Sequence, residues 1–148
     1  MGNTEINSNY FPLLTNEASL HLIISQFAII LGCSSGLHPY YYNRDTGTTW
    51  VQSDIIATGN EPARGKTVKR IILPTVVEKA RNQFACPTLE GVEVEGEGSW
   101  ETDFQWDERL MHAEFMQMSI GNSYGTITYS EITFAVLYDS GWYEIEWD

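Results

Sequence analysis

Apolar residues early in the chain recur at intervals of three and four: Leu20, Ile23, Ile24, Phe27, Ile30 and Leu31, until Gly32 ends the run. Thr15 or Asn16 suits the N-cap and Glu17 the first turn. The spacing therefore predicts a buried helix over residues 17–31, with Phe27 and Ile29 in the core. The SSGLHPYYYNRDTGTTW that follows is dense in Gly, Pro, Asn, Asp and Ser. It reads as an ordered loop anchored by Tyr40, Tyr41 and Tyr42.

Short strands are expected near 48–52 and 67–73. Pro74 opens PTVVEKARNQF, where Val76, Val77, Ala80 and Phe84 fit a second short helix with proline in its first turn. Residues 88–98, TLEGVEVEGEG, alternate and then dissolve into Gly and Glu, as a strand running into a loop does. A third helix is predicted over 106–113, and a fourth over 128–138, started by Thr128 or Ser130 and closed near Gly141. Trp100, Trp106, Trp142, Trp147 and Tyr143 read as residues that complete a core or cover an interface.

The chain has 148 residues, 43% of them hydrophobic, enough for one modest globular domain. Its net charge of −12 is uneven: residues 1–89 carry seven Lys/Arg against six Asp/Glu, and residues 90–148 carry one against fourteen. Such a surface repels phosphate backbones and anionic lipid heads, which argues against nucleic-acid and membrane-surface partners. The basic cluster Arg64, Lys66, Lys69 and Arg70 reads as a solvated loop and strand edge. Glu93, Glu95 and Glu97 at period two read as an acidic solvated edge. Cys33 and Cys86, in dissimilar contexts, make no disulfide framework, although a single bridge stays open. The start MGNTEINSNY has neither a basic nor an apolar region of a signal peptide, and Leu20 to Gly32 is too short to cross a bilayer.

Four separated words carry a resemblance: ILGCSSGLHPYY after the first helix, LPTVVEKARNQFACPTLEGVEVE, FQWDERLMHAEFM and ITFAVLYDSGWYEIEW. In order and approximate spacing they resemble the catalytic domain of the leishmanolysin family of zinc metalloendopeptidases, over roughly residues 15–147. The resemblance implies an α+β, mainly helical, partial metzincin-like catalytic domain over 1–148, an active-site helix plus C-terminal subdomain without the N-terminal sheet of the family. It comprises a zinc helix at 17–31, a third-ligand and methionine-turn region at 99–118, and a C-terminal helix and tail at 128–148. It also implies one catalytic zinc, held by two histidines at i and i+4 of a helix and a third from a later loop, with a glutamate as general base for the zinc-bound water.

Position by position, this sequence departs from that pattern. Gly32, which in the family lies three residues past the second histidine, puts the helix ligands at Ser25 and Ile29 and the general base at Gln26. The third-ligand word reads Gln105-Trp106-Asp107, with Arg109 following, and Met116 with Glu114 stands for the methionine turn. An aliphatic side chain at Ile29 fills the space of a ligand, and Gln26 cannot take a proton as a carboxylate does. His21, four residues and about 6 Å along the helix from Ser25, reads as structural, as do His38 and His112. The expectation is a family member without catalytic zinc that acts as a structural or interaction subunit. The expected partner is a protein that covers or supplies the missing sheet, the one that precedes the helix in the family. The alternative is a fragment or subunit of an active zinc metalloendopeptidase.

Overall fold

The first helix forms where the apolar spacing places it. In the structure, a computed structural model that describes residues 16–95, 105–117 and 127–147, α1 runs Asn16–Leu31. It is apolar on every side, so periodicity alone does not reveal which face is covered. His21 and Ala28 are buried, and Ile24 and Ile29 lie against the core. Leu20, Phe27 and Leu31 form a different stripe and are 54%, 58% and 42% exposed. Phe27 is therefore not the core residue that its spacing suggests. The apolar segment Ser19–Tyr40 is long enough by composition to cross a membrane, with a mean hydropathy of 1.7. Among the described residues the α-helix, Asn16–Leu31, reaches about 24 Å at 1.5 Å per residue, against a ~30 Å hydrocarbon layer.

Past α1 the chain turns at once, with the Gly32 and Cys33 amides both donating to the Ala28 carbonyl. A 3-10 segment, Ser35–Tyr40, follows where a loop was expected. Of the three tyrosines only Tyr41 anchors it. Its hydroxyl donates to the Gly32 carbonyl at 2.5 Å, and its ring meets Trp142 edge-on, while Tyr40 and Tyr42 are 67% and 42% exposed. Two short strands, β1 Tyr42–Asn43 and β2 Thr48–Thr49, pair antiparallel. The Asn43 side chain closes their turn by accepting from the Asp45 and Thr46 amides.

A single helical turn, α2 (Gln52–Ile55), leads into β3 (Ile56–Glu61), which pairs in register with β4 (Lys66–Ile71) from Ile56↔Ile71 to Glu61↔Lys66. On its other side β4 pairs with β5 (Val92–Glu93). Neither α2 nor β3 is legible in QSDIIATGNE, which shows no alternation. The expected strand at 67–73 is β4, but the one at 48–52 shrinks to β2, because Gln52 already belongs to α2. The predicted second helix is α3, Pro74–Gln83, with proline in its first turn, and the fourth is α4, Glu131–Asp139. Gly141 closes α4 at φ +83°, where a Cβ would overlap the Tyr42 carbonyl.

The helix predicted over 106–113 does not form. Trp106 is committed to backbone bridges with Val94 and Gln117, and Asp107 closes a tight turn with its carbonyl and side chain accepting from Arg109, Leu110 and Met111. Ala113 then adopts φ +65°, outside the helical region. Thr15, Glu97 and Trp100 lie outside the described residues. Trp106 is fully buried, Tyr143 and Trp147 pack on the core, and Trp142 is partly exposed. Both cysteines are free thiols, and burial pushes the Cys33 thiol far up.

α3 and α4 pack through Val76, Ala80, Ile132, Ala135 and Val136, and a polar joint fixes their relative position. Asp139, at the end of α4, accepts from the Thr75 amide at 2.9 Å, the Val76 amide at 3.3 Å and the Thr75 hydroxyl at 2.6 Å. It thus caps α3 across 64 residues of sequence. Burial pushes its carboxyl up, and these hydrogen bonds only partly offset that.

The basic cluster and the acidic strand are not the solvated edges they resemble in sequence. Glu93 is buried, and both its oxygens accept from Arg64 at 2.6 Å, with Arg109 at 3.0 Å and Lys66 at 3.6 Å. Arg70 pairs with Glu61, and Arg64 also reaches Glu61 and Asp107. The alternation fails because both faces of β5 are covered, one by the core and one by these cations. Burial pushes the Glu93 carboxyl up, but Arg64, Arg109 and Lys66 outweigh it and hold the group below the usual carboxylate range.

Two measurements test these joints. Asp139→Ala is expected to lower the unfolding free energy by about 2–3 kcal/mol in urea melts, with Asp139→Asn in between; wild-type stability of Asp139→Ala would remove the cap from the account. For Glu93, a lowered folded value means that its contribution is fully present above about pH 4.3 and is lost as pH falls through the lowered value. Glu93→Gln should cost about 2–4 kcal/mol at pH 7 and flatten the acid limb of stability against pH.

Candidate functional site

Three segments meet at Met116. The first is α1, whose buried His21 donates from Nε2 to the Phe115 carbonyl at 2.6 Å; a carbonyl only accepts, so Nε2 carries the proton. The second is Gln105–Trp106, whose Trp106 amide donates to the Met116 carbonyl at 3.1 Å. The third is the start of α4, where Ser130 and Thr133 donate from their hydroxyls to Glu114 Oε1 at 2.9 and 2.5 Å. Glu114 Oε2 accepts from the Met116 amide at 2.6 Å, so the carboxylate clamps its own turn as well. Burial pushes the Glu114 carboxyl up, and the hydrogen bonds from Thr133, Met116 and Ser130 work against that shift. The Trp106 indole donates to Thr133 at 2.7 Å and completes the buried cluster.

Among the residues singled out by position, Met116 is buried at this turn. Gly32 is buried as well; a Cβ there would stand 3.0 Å from Leu137 and 3.8 Å from Trp142. Ser25 is half-buried, and its hydroxyl donates to the Leu22 carbonyl of its own helix at 2.9 Å. Ile29 is half-buried against the core, and Gln26 is half-buried on the same helix. Gln105 accepts the Glu95 amide at its backbone carbonyl, and its side-chain oxygen is buried with no hydrogen-bond partner among the described residues.

The three histidines do not gather. His21 is bound to the turn, His38 is buried beside Tyr41 and Gln52, and His112 lines an open polar cleft with Arg64, Glu95, Asp107, Glu108 and Arg109. Among the described residues, no group of three His, Cys, Asp or Glu side chains is placed to hold a metal ion. The cleft sets two arginines against three carboxylates, and its arginines are engaged with Glu93 and Asp107.

The sequence singles out Met116 and Glu114 but not the partners of Glu114, which stand 16 and 19 residues away and carry no local signal. Nor does it show that His21 reaches across 94 residues to the turn.

A sequence model of the leishmanolysin family matches residues 50–148, which begin after α1 and include Gln105 and Met116. The leishmanolysin-like peptidase of Drosophila pseudoobscura pseudoobscura is 38% identical over 79 residues, covering 53% of this chain and 11% of that protein. Its counterpart in Caenorhabditis elegans is 37% identical over 111 residues, covering 70% of this chain and 15% of the relative. That in Drosophila melanogaster is 35% identical over 79 residues, covering 53% and 11%. The chain thus spans 11% to 15% of the length of these relatives. No solved structure matches it. Its four described α-helices and two small sheets are compatible with part of such a peptidase domain, and the chain belongs to the leishmanolysin family of zinc metallopeptidases.

Proposed function

We propose that this polypeptide is a non-catalytic member of its family that acts through protein contacts. The observation that carries the reading is the chemistry at the positions that correspond to the zinc ligands. Ser25 offers a hydroxyl already donating to its own helix, Ile29 an aliphatic surface packed on the core, and Gln105 an amide. Zinc in catalytic sites takes imidazole, thiolate or carboxylate, and this donor set does not fit it. Gln26, at the position of the general base, has no carboxylate with which to activate a water.

The partner surface in this reading is the stripe of Leu20, Phe27 and Leu31, three large apolar side chains exposed along α1. A protein surface of matching apolar character, such as a sheet, suits it better than nucleic acid, given the net charge of −12. A second reading, in which the segment belongs to an active zinc endopeptidase that draws its ligands from another polypeptide, is favoured by the retained Met116 and Glu114 turn.

Elemental analysis of the purified chain separates the two. The expected result is zinc well below one equivalent and no cleavage of casein above background; one tightly bound equivalent with chelator-sensitive cleavage would sink the non-catalytic reading. For the surface, Phe27→Ser and Leu31→Ser should leave Tm within about 2 °C of wild type while reducing self-association in sedimentation velocity. A chain that is already a monodisperse, cooperative monomer counts against an obligate partner.

A further inference from the structure

A metal held jointly by a helix and a distant loop cross-links them and adds its binding free energy to folding. If the positions at Ser25, Ile29 and Gln105 do not take zinc, something else has to hold α1 on the methionine turn. We infer that His21 does so, as a metal-free cross-link between α1 and the Phe115 carbonyl. This rests on the non-catalytic reading above.

His21 lies one helical turn before Ser25, on the side that meets the core through Ala28 and Gly32. Its 2.6 Å bond to Phe115 is buried and spans 94 residues. The acceptor is fixed in advance: the Phe115 amide donates to the Thr128 carbonyl at 3.1 Å, and the next amide, Met116, donates to Glu114. A buried carbonyl deprived of its donor loses its hydrogen bond without regaining water, so the imidazole cannot be removed at little cost. Ser25 does not substitute for it, because its hydroxyl is turned to Leu22. The imidazole therefore serves as a donor to backbone rather than as a ligand, and the joint needs no cation.

The test uses the full chain. Wild-type Tm, followed by circular dichroism, should move by less than about 1 °C with EDTA or with added zinc. His21→Leu, which keeps bulk but has no donor, should lower Tm by about 3–8 °C, and His21→Gln, whose amide nitrogen donates from a similar reach, should recover at least half of that loss. Amides of residues 113–117 should exchange faster in His21→Leu than in His21→Gln. Failure of His21→Leu to fold while His21→Gln folds counts the same way. Equal stability of the two variants, or loss of folding in both, overturns the cross-link alone. A wild-type Tm that falls in EDTA together with bound zinc overturns both the cross-link and the non-catalytic reading.

Discussion

The carboxylate of Glu114 lies buried where α4 begins, and the Ser130 and Thr133 hydroxyls and the Met116 amide hold it there. A buried charge without such donors is costly, so the carboxylate and its partners form together or not at all. Once they form, they fix the turn from Glu114 to Met116 against α4. From that turn the Phe115 carbonyl receives α1, and from the far end of α4 Asp139 caps α3. Each of the three longer helices is thus located by one polar joint. The apolar contacts of Val76, Ala80, Ile132 and Val136 supply most of the burial, but such surfaces tolerate small shifts that a hydrogen-bonded carboxylate does not.

The sheet is tied on by charge. Glu93 draws Arg64 from the hairpin turn, Lys66 from β4 and Arg109 from the loop after Trp106 onto one buried carboxylate. The cations sit partly in water while the anion does not, so Glu93 is the member whose loss leaves the largest unbalanced charge. The two raised carboxyls, Glu114 and Asp139, respond to pH in the opposite sense to Glu93: their contribution is greatest below the ordinary carboxylate range and is lost as pH rises through the raised values. Acid therefore loosens the sheet region through Glu93, while alkali, not acid, weakens the helical joints at Glu114 and Asp139.

Much of the local structure was legible in sequence. The spacing of Leu20 to Leu31 gave α1 to within a residue, Pro74 opened α3, and Gly141 closed α4. Partners far apart in sequence were not legible. The apolar spacing of Trp106, Leu110 and Met111 is as good as that of a helix, yet Trp106 belongs to bridges whose other strands begin elsewhere, and tertiary pairing overrides the local pattern. Phe27 was misplaced for a different reason: in a helix that is apolar all round, periodicity states that a helix exists but not which side is covered. At the candidate site, the word around them singles out Met116 and Glu114, whereas the bond from His21 shows only once Phe115 is beside it.

Gly32 gives the stretch LGCSSG the look of a peptidase helix, and the fold gives that glycine a reason of its own. A methyl group there would press on the Leu137 side chain of α4 and approach the Trp142 ring. The space that Gly32 keeps open is occupied by neighbouring hydrocarbon. A sequence signature and the chemistry usually inferred from it are consequently separable in this chain, because the same letter satisfies a steric demand that persists whether or not a metal is ever bound.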